Sequence, residues 1–328
     1  MTKRLAEVAK KAGVSEATVS RVLNGRNGVS EATRASVLTA LDVLGYERPT
    51  KLRGERGRLV GLVLPELQNP IFPALAEVVT ASLAQRGFTP LLAARTIGGV
   101  PERDYIEMLL DHQVSGVVFA GGSYALADAE HGHYRALTDR RMPVVMVNAG
   151  VSDLGFPHIS TDDAVAVEQA YGHLRSLGHE RIGMVMGPED HVPSRRKLAA
   201  LEGKEIQVER TNFSMESARL AAAKLIDRGV TGMICASDVL ALGSIRAARR
   251  LGLDVPGDVS VVGFDDSALM TCTDPPLTTV RQPIELMGQS AVDLLVNQIE
   301  GSGVEPDELL FEPELVVRGS TAPARKRY

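Results

Sequence analysis

The residues best placed to do chemistry lie in Ala12-Gly13-Val14-Ser15-Glu16-Ala17-Thr18-Val19-Ser20-Arg21-Val22-Leu23-Asn24-Gly25. Their chemistry is hydrogen bonding to base edges. At helical spacing Glu16, Ala17, Ser20 and Arg21 form one short polar row, small enough to enter a major groove. Other reactive patterns are weak. There is no Gly-x-Gly-x-x-Gly after a strand, no Walker loop and no Gly-x-Ser-x-Gly elbow. Gly121-Gly122 ends an apolar run as either an anion nest or a plain turn. The histidines of Glu130-His131-Gly132-His133 sit in a polar stretch, as metal ligands or simply solvated. These patterns point away from an enzyme, and no catalytic residue, metal or cofactor is expected.

The polar row needs a helix held against a partner. Gly13 can take the positive φ that ends one helix sharply, and Ser15 can cap the next. Val19, Val22 and Leu23 then share the inward face, opposite Leu5, Val8 and Ala9 of a preceding short helix. A third helix starts at Ser30, with Glu31 in its first turn. It runs through Val37, Leu38, Leu41 and Leu44 to a stop at Gly45-Tyr46. Residues 1–46 therefore read as an all-α helix-turn-helix head. Residues 47–58 are charged, broken by Pro and Gly, and have little to bury, which makes them a linker.

From Leu59 the period changes. Leu59–Leu64, Pro90–Ala94, Gly116–Ala120 and Val144–Val147 are short apolar runs, separated by helical stretches Phe72–Arg86, Arg103–His112 and Ala125–Thr138. A second series alternates from His158–Thr161 to Val259–Phe264, followed by a helix Ile284–Ile299 and extended segments Leu309–Phe311 and Leu315–Arg318. Strand-helix alternation of this kind builds doubly wound parallel sheets. Two such sets imply two subdomains across a cleft, with ligands outside the carboxyl ends of the strands. The expected N-subdomain is about 59–153 plus 280–304, and the C-subdomain about 154–279 plus 305–322.

Charge is divided unevenly. Residues 1–58 carry a net +6 in a chain of net −5, so the remainder carries −11. A basic head on an acidic body suits a protein in which only the head approaches a polyanion. Trp is absent and aromatics are 4% of residues, which disfavours a lectin surface that stacks on carbohydrate. Cys235 and Cys272 show no metal spacing and fit a reducing compartment. The N-terminal stretch lacks the apolar core of a signal peptide, and no run of apolar residues could span a bilayer. A cytoplasmic location away from membranes is the expectation.

The opening motif, the two-lobed body and four further stretches together resemble the LacI/GalR family of bacterial transcription repressors. The stretches are Gly178–Ile182, Val259–Asp266, Pro276–Pro283 and Glu314–Thr321. The resemblance spans nearly the whole chain and implies a periplasmic-binding-protein-like body. It also implies a homodimer on a near-palindromic operator of double-stranded DNA. Carried over by position, the DNA-binding set is Ser15, Glu16, Ala17, Thr18, Ser20, Arg21, Asn24, Arg26 and Leu52. Glu16, Ala17 and Arg21 would face base edges, with Arg21 forked onto guanine. Glu16 either accepts from a cytosine amino group or stays solvated near the helix dipole. Ser20, Asn24 and Arg26 would anchor phosphates. Leu52 either wedges into the minor groove from a hinge helix or is an ordinary linker residue. The hinge departs from the family by being short, and Gly54 and Gly57 each cost a helix about 1 kcal/mol.

The same resemblance implies a small effector, a sugar in the first instance, between the lobes. Its contacts by position are Asn69, Phe72, Asp162, Arg196, Lys197, Phe213, Asp238 and Asp265. One carboxylate can accept from two vicinal hydroxyls, the role implied for Asp238; the alternative is a helix cap. Phe72 and Phe213 either present ring faces to a ligand or pack in the core. Asp162 and Asp265 either line the cleft or cap. Lys197 stands where the family carries an arginine, so a planar fork is replaced by a point charge, with Arg195 and Arg196 as substitutes. The stretch between Leu198 and Phe213 is shorter than usual. That leaves open a regulator with a degenerate pocket that answers to a partner protein. The polar tail Ala322–Tyr328 has no heptad repeat, so a dimer without a further zipper is expected.

Overall fold

In a computed structural model, residues 2–23, 29–44, 46, 58–95 and 98–325 are described. Asn24, Arg26 and Leu52 lie outside them. The chain forms two compact units, Met1–Leu59 with Gln113–Ser115, and Val60–His112 with Gly116–Tyr328.

Among its described residues the first unit holds three helices, α1 (Thr2–Ala12), α2 (Glu16–Leu23) and α3 (Glu31–Val43). Gly13 ends α1 with φ 68°. Ser15 Oγ then accepts the Thr18 amide at 3.1 Å, which offsets one orphan donor at the start of α2. Ser30 repeats the device on the Thr33 amide at 3.2 Å, ahead of α3. Val8, Ala9, Val19, Val22, Val37, Ala40 and Leu41 close a small common core. The tyrosine at 46 ties back to α1 by donating its hydroxyl to Glu7.

The second unit contains two six-stranded sheets. Along the chain come β1 (Leu59–Leu64), α4 (Ile71–Gln85), β2 (Thr89–Ala94), α5 (Glu102–Asp111) and β3 (Gly116–Phe119). Then follow α6 (Arg135–Asp139), β4 (Val144–Val147) and β5 (His158–Thr161). The chain next builds α7 (Asp163–Ser176), β6 (Ile182–Met186), α8 (Val192–Ala200), β7 (Ile206–Arg210) and α9 (Met215–Asp227). It continues with β8 (Gly232–Cys235), α10 (Asp238–Arg250), β9 (Ser260–Asp265) and β10 (Thr278–Arg281). It ends with α11 (Ile284–Ile299), β11 (Glu308–Phe311) and β12 (Glu314–Val316). The first sheet has the order β11-β5-β4-β3-β1-β2 and the second β12-β10-β9-β8-β6-β7. Central strands such as β3, β4 and β8 are buried at every position, as expected where helices cover both faces.

Three features differ from the sequence-based expectation. β5 and β11 belong to the first sheet and β10 to the second, so the crossings fall after 161, 281 and 311. The expected subdomain limits at 153, 279 and 304 are displaced accordingly; a four-residue apolar strand does not announce which sheet it joins. β12 pairs antiparallel with β10, an antiparallel edge on an otherwise parallel sheet. Finally, 125–138 is not one helix. A 3-10 turn at Ser123–Ala125, a second at Gly132–Tyr134 and the short α6 replace it. Tyr124 and Tyr134 are buried edge-on against Phe119 and each other, and their hydroxyls reach inward for partners, which a straight helix would not allow.

Candidate functional site

On α2 the two faces separate as the spacing requires. Val19 and Val22 are buried, whereas Glu16, Ala17 and Arg21 are exposed and Ser20 is half-buried. Ser15 and Thr18 are engaged with each other, their hydroxyls 2.9 Å apart, so they form the start of the helix that presents the row. A cationic fork beside a small residue and a carboxylate, with no bulky neighbour on that face, is a surface fit for a groove.

In the second unit, polar side chains converge where the carboxyl ends of both sheets meet. Asp265 ends β9 with φ 126°, a backbone cost of about 1–3 kcal/mol that the surroundings must offset. Its carboxylate accepts from Asn69 Nδ2 at 3.2 Å and from Gln282 Nε2 at 2.6 Å. Asn69 sits in the loop between β1 and α4, where its own Oδ1 accepts the Ile71 amide. The amide oxygen of Gln282 in turn accepts from Thr161 Oγ1 at 2.8 Å, at the end of β5. Thr161, Gln282, Asp265 and Asn69 thus make one relay from the first sheet, through a crossing, to the second and back. Burial, then the neighbouring Asp238 charge, push the Asp265 carboxyl up.

Asp238 is the first residue of α10 and is fully buried. The cap of α10 is Ser237, whose Oγ accepts the Leu240 amide at 3.2 Å. Asp238 instead accepts from Thr279 Oγ1 at 2.6 Å and from the Ser267 amide at 2.8 Å. A Cβ at Gly263 would lie 2.5 Å from its Oδ1, so only glycine admits the carboxylate there. Burial raises its pKa to about 6, against the lowering effect of those two donors.

The remaining positions are divided. Asp162 caps α7, accepting the Ala164 and Val165 amides at 3.0 and 3.1 Å. Arg196 on α8 forks onto Glu308 at the start of β11, at 2.6 and 3.1 Å, and so joins the two sheets. Lys197 is buried, pairs with Asp163 and places Nζ 3.9 Å from the centre of the Phe264 ring. Phe213 meets the His191 ring edge-on at 4.9 Å and presses on Gly187. Phe72 is half-buried in the first turn of α4. The geometry therefore gathers Asn69 and Asp265 directly, keeps Asp238 beside them, and gives Asp162, Arg196 and Lys197 protein partners of their own.

Sequence reasoning assigned no role to Gln282, Thr279, Glu308 or His191. Gln282 and Thr279 lie within a motif quoted for resemblance, which was the available signal. Glu308 had none, since its partner Arg196 is 112 residues away. His191 donates or accepts at Ser194 Oγ, 2.8 Å away, while burial and the Lys197 charge lower its pKa to about 3 and keep the ring neutral. The backbone just before it joins the lobes, with the Ala127 amide donating to Asp190 O at 2.8 Å. His131 and His133 are tied to Ser123, Leu126 and Glu102. Among the described residues no cluster of His, Cys, Asp or Glu could hold a metal ion. Among them, too, no helix is long and apolar enough to cross a membrane.

Comparison with known proteins agrees with both units. Residues 4–49 match the family described as bacterial regulatory proteins, lacI family, and residues 171–321 match a periplasmic binding protein-like domain. The chain is 51% identical over 338 residues to the HTH-type transcriptional regulator MalR of Streptomyces coelicolor, covering 99% of this chain and 98% of that one. Among solved structures it is similar to a complex of the transcriptional regulator CelR with cellobiose. There the TM-score is 0.72 at 33% identity, over 96% of this chain and 99% of the other. It is also similar to the lac repressor dimer bound to operator and the anti-inducer ONPF. That match has a TM-score of 0.71 at 28% identity, over 96% and 98% of the two chains.

Proposed function

The chain belongs to the LacI family of bacterial regulatory proteins and is a DNA-binding transcriptional regulator, and from that premise we propose a repressor whose operator affinity is set by a sugar bound between its two lobes. It works as a cytoplasmic homodimer on a near-palindromic operator, each subunit placing α2 in the major groove, and it carries out no catalytic step. Arg21, Glu16 and Ala17 read base edges; Ser20, with Asn24 and Arg26, holds phosphates; Leu52 is the minor-groove wedge.

The observation that carries the effector reading is the relay Thr161–Gln282–Asp265–Asn69. Its carboxylate is held by amide donors that vicinal hydroxyls can replace one for one, without moving a charge. Replacing the Asn69 bond by a ligand hydroxyl unties the β1–α4 loop from β9 and changes the angle between the lobes. A coupling of about 1–3 kcal/mol is enough to change operator affinity about 5- to 150-fold. The solved CelR complex contains cellobiose, which supports a glucoside as the first ligand to test.

A second reading has its own observation. Asp238, Asp265, Arg196 and Lys197 all have protein partners, the arrangement of a pocket that no longer takes a ligand and answers to a partner protein. One experiment separates the readings. Operator fragments recovered by genomic footprinting are titrated by fluorescence anisotropy with the full chain, with and without mono- and disaccharides. A sugar that shifts both operator affinity and melting temperature supports the gated repressor. Specific operator binding that no sugar alters supports the second reading. No preference for an inverted repeat over random duplex at moderate salt overturns both.

A further inference from the structure

One short segment of the second lobe reaches the first lobe at two places, and the relay through Asp265 uses neither. β6 runs through Gly187 into a turn, closed by the His191 amide on Pro188 O at 3.1 Å, and then into α8. At the turn, Leu126 of the first lobe pairs with His191 as an isolated antiparallel bridge, and the Ala127 amide donates to Asp190 O at 2.8 Å. About one turn into α8, Arg196 forks onto Glu308 of β11 at 2.6 and 3.1 Å. Their side chains are 34% and 24% exposed, so this charge-assisted pair is partly shielded from water.

Each side of these attachments is stiff. Lys197 pairs with Asp163 of α7, Leu198 and Leu201 pack in the core of the second sheet, and Phe213 meets the His191 ring edge-on. Asp190 and Arg196 therefore move with the second lobe as one body. On the first lobe, the loop that carries Leu126 and Ala127 is fixed at its start. Tyr124 Oη lies 2.9 and 2.7 Å from the carbonyl oxygens of Phe119 and Val147, and Glu102 accepts the Ser123 amide at 3.2 Å. β11 and β3 stand three strand spacings apart in one sheet, about 14 Å. Glu308 lies three residues before the crossing that follows Phe311, whereas the loop with Ala127 follows β3, farther from it. A rotation of the lobes about the crossings that strains the Arg196 fork therefore strains the Ala127 bond more.

We infer that Asp190–Arg196 is a clasp that holds the two lobes together through the chain's own contacts, and that its two attachments open as one. The Arg196–Glu308 fork, near the crossings, limits the rotation; the Ala127–Asp190 bond, farther out, survives only while that limit holds. Releasing the fork thus frees a backbone bond in a different part of the first lobe. On the reading above, the same release changes operator affinity with no sugar in the assay. That consequence rests on the repressor reading, whereas the clasp is testable without operator or sugar.

Amide hydrogen exchange of the full-length chain, resolved to single residues by mass spectrometry, reads the far attachment directly. Arg196→Gln and Glu308→Gln each remove the near one. Both are expected to speed exchange at the Ala127 amide about tenfold. The Val117 and Ala120 amides, which donate to Pro143 O and Val63 O within the first lobe, should keep their wild-type rates. Ala127 exchanging at the wild-type rate in both variants overturns the inference, because the attachments are then independent. So does an equal rise at Val117 and Ala120, since general loosening of the lobe would then explain it. If the Gln variants do not fold, Arg196→Lys takes their place, keeping the charge without the planar fork. A rise of about threefold at Ala127 is then expected, and a wild-type rate overturns the inference. Anisotropy titration of Glu308→Gln on operator, without sugar, tests the consequence. Ala127 deprotected with operator affinity unchanged would leave the clasp standing and sink the control of operator affinity by lobe angle.

Discussion

Asn69 Nδ2 donates to Asp265 Oδ2 across 3.2 Å, and both residues are nearly fully buried although 196 positions separate them. The bond joins the loop after β1 to the strained end of β9. Replacing Asn69 by Ala leaves one lobe of a buried carboxylate without its donor, which costs about 1–3 kcal/mol. A lower urea midpoint is expected, together with a weaker effect of sugar on operator affinity. If midpoint and sugar response both match wild type, the bond does not couple the lobes.

The Arg196–Glu308 pair ties α8 to β11, with His158 Nε2 a further 3.6 Å from the same carboxylate. Burial raises the Glu308 pKa, but His158 and Arg196 outweigh it and bring it to about 2. A carboxylate depressed on folding contributes stability above its unfolded value near 4.3 and loses it as pH falls towards the folded value. Acid unfolding between about pH 4 and pH 2 is therefore expected to be shallower in Glu308→Gln than in wild type. Urea midpoints at a series of pH values read this directly; identical acid limbs would remove Glu308 from the account.

Local physics was legible in the sequence, and long-range pairing was not. Gly13, Ser15 and Ser30 could be read because a turn and a cap involve neighbours within three residues. Asp265 and Asn69 could be placed at strand ends because strand-helix alternation fixes where a parallel sheet ends. Asp162 shows the limit, since a carboxylate before a helix serves equally as a cap, and here it caps α7. The stretch 125–138 has apolar residues at helical spacing, yet the Tyr134 hydroxyl and His133 are drawn to Glu102, more than thirty residues earlier, and the helix breaks. No local pattern contains that partner, just as none around Arg196 contains Glu308.

Asp238 behaves oppositely to Glu308. Burial holds its pKa at about 6, above the unfolded value near 3.9, with Thr279 and Ser267 partly opposing. The folded chain thus binds the proton more tightly than the unfolded chain. The stability this group contributes is greatest below the unfolded value and falls as pH rises from about 4 to about 6, by roughly 1–3 kcal/mol. In Asp238→Asn the amide oxygen can still accept from Ser267, and relative to wild type the variant is expected to gain stability as pH rises from about 4 to about 6. Parallel wild-type and Asp238→Asn stability curves from pH 4 to 7 would contradict the buried, ionisable Asp238.

Arg21 is exposed on α2, while Ser15 and Thr18 at its start are engaged with each other. Removing each should therefore fail differently. On the proposed bidentate base contact, worth about 1–3 kcal/mol, Arg21→Ala is expected to lower specific operator affinity about 5- to 150-fold. Random-duplex affinity should change little beyond the loss of one charge. Arg21→Lys keeps that charge but not the planar fork, and is expected to lose specificity while keeping the salt dependence. Ser15→Ala weakens the start of α2 by about 0.5–2 kcal/mol and should lower specific and random binding together. Anisotropy titrations on operator and random duplex at two salt concentrations distinguish these patterns. Undiminished operator affinity in Arg21→Ala would mean that this side chain reads no base.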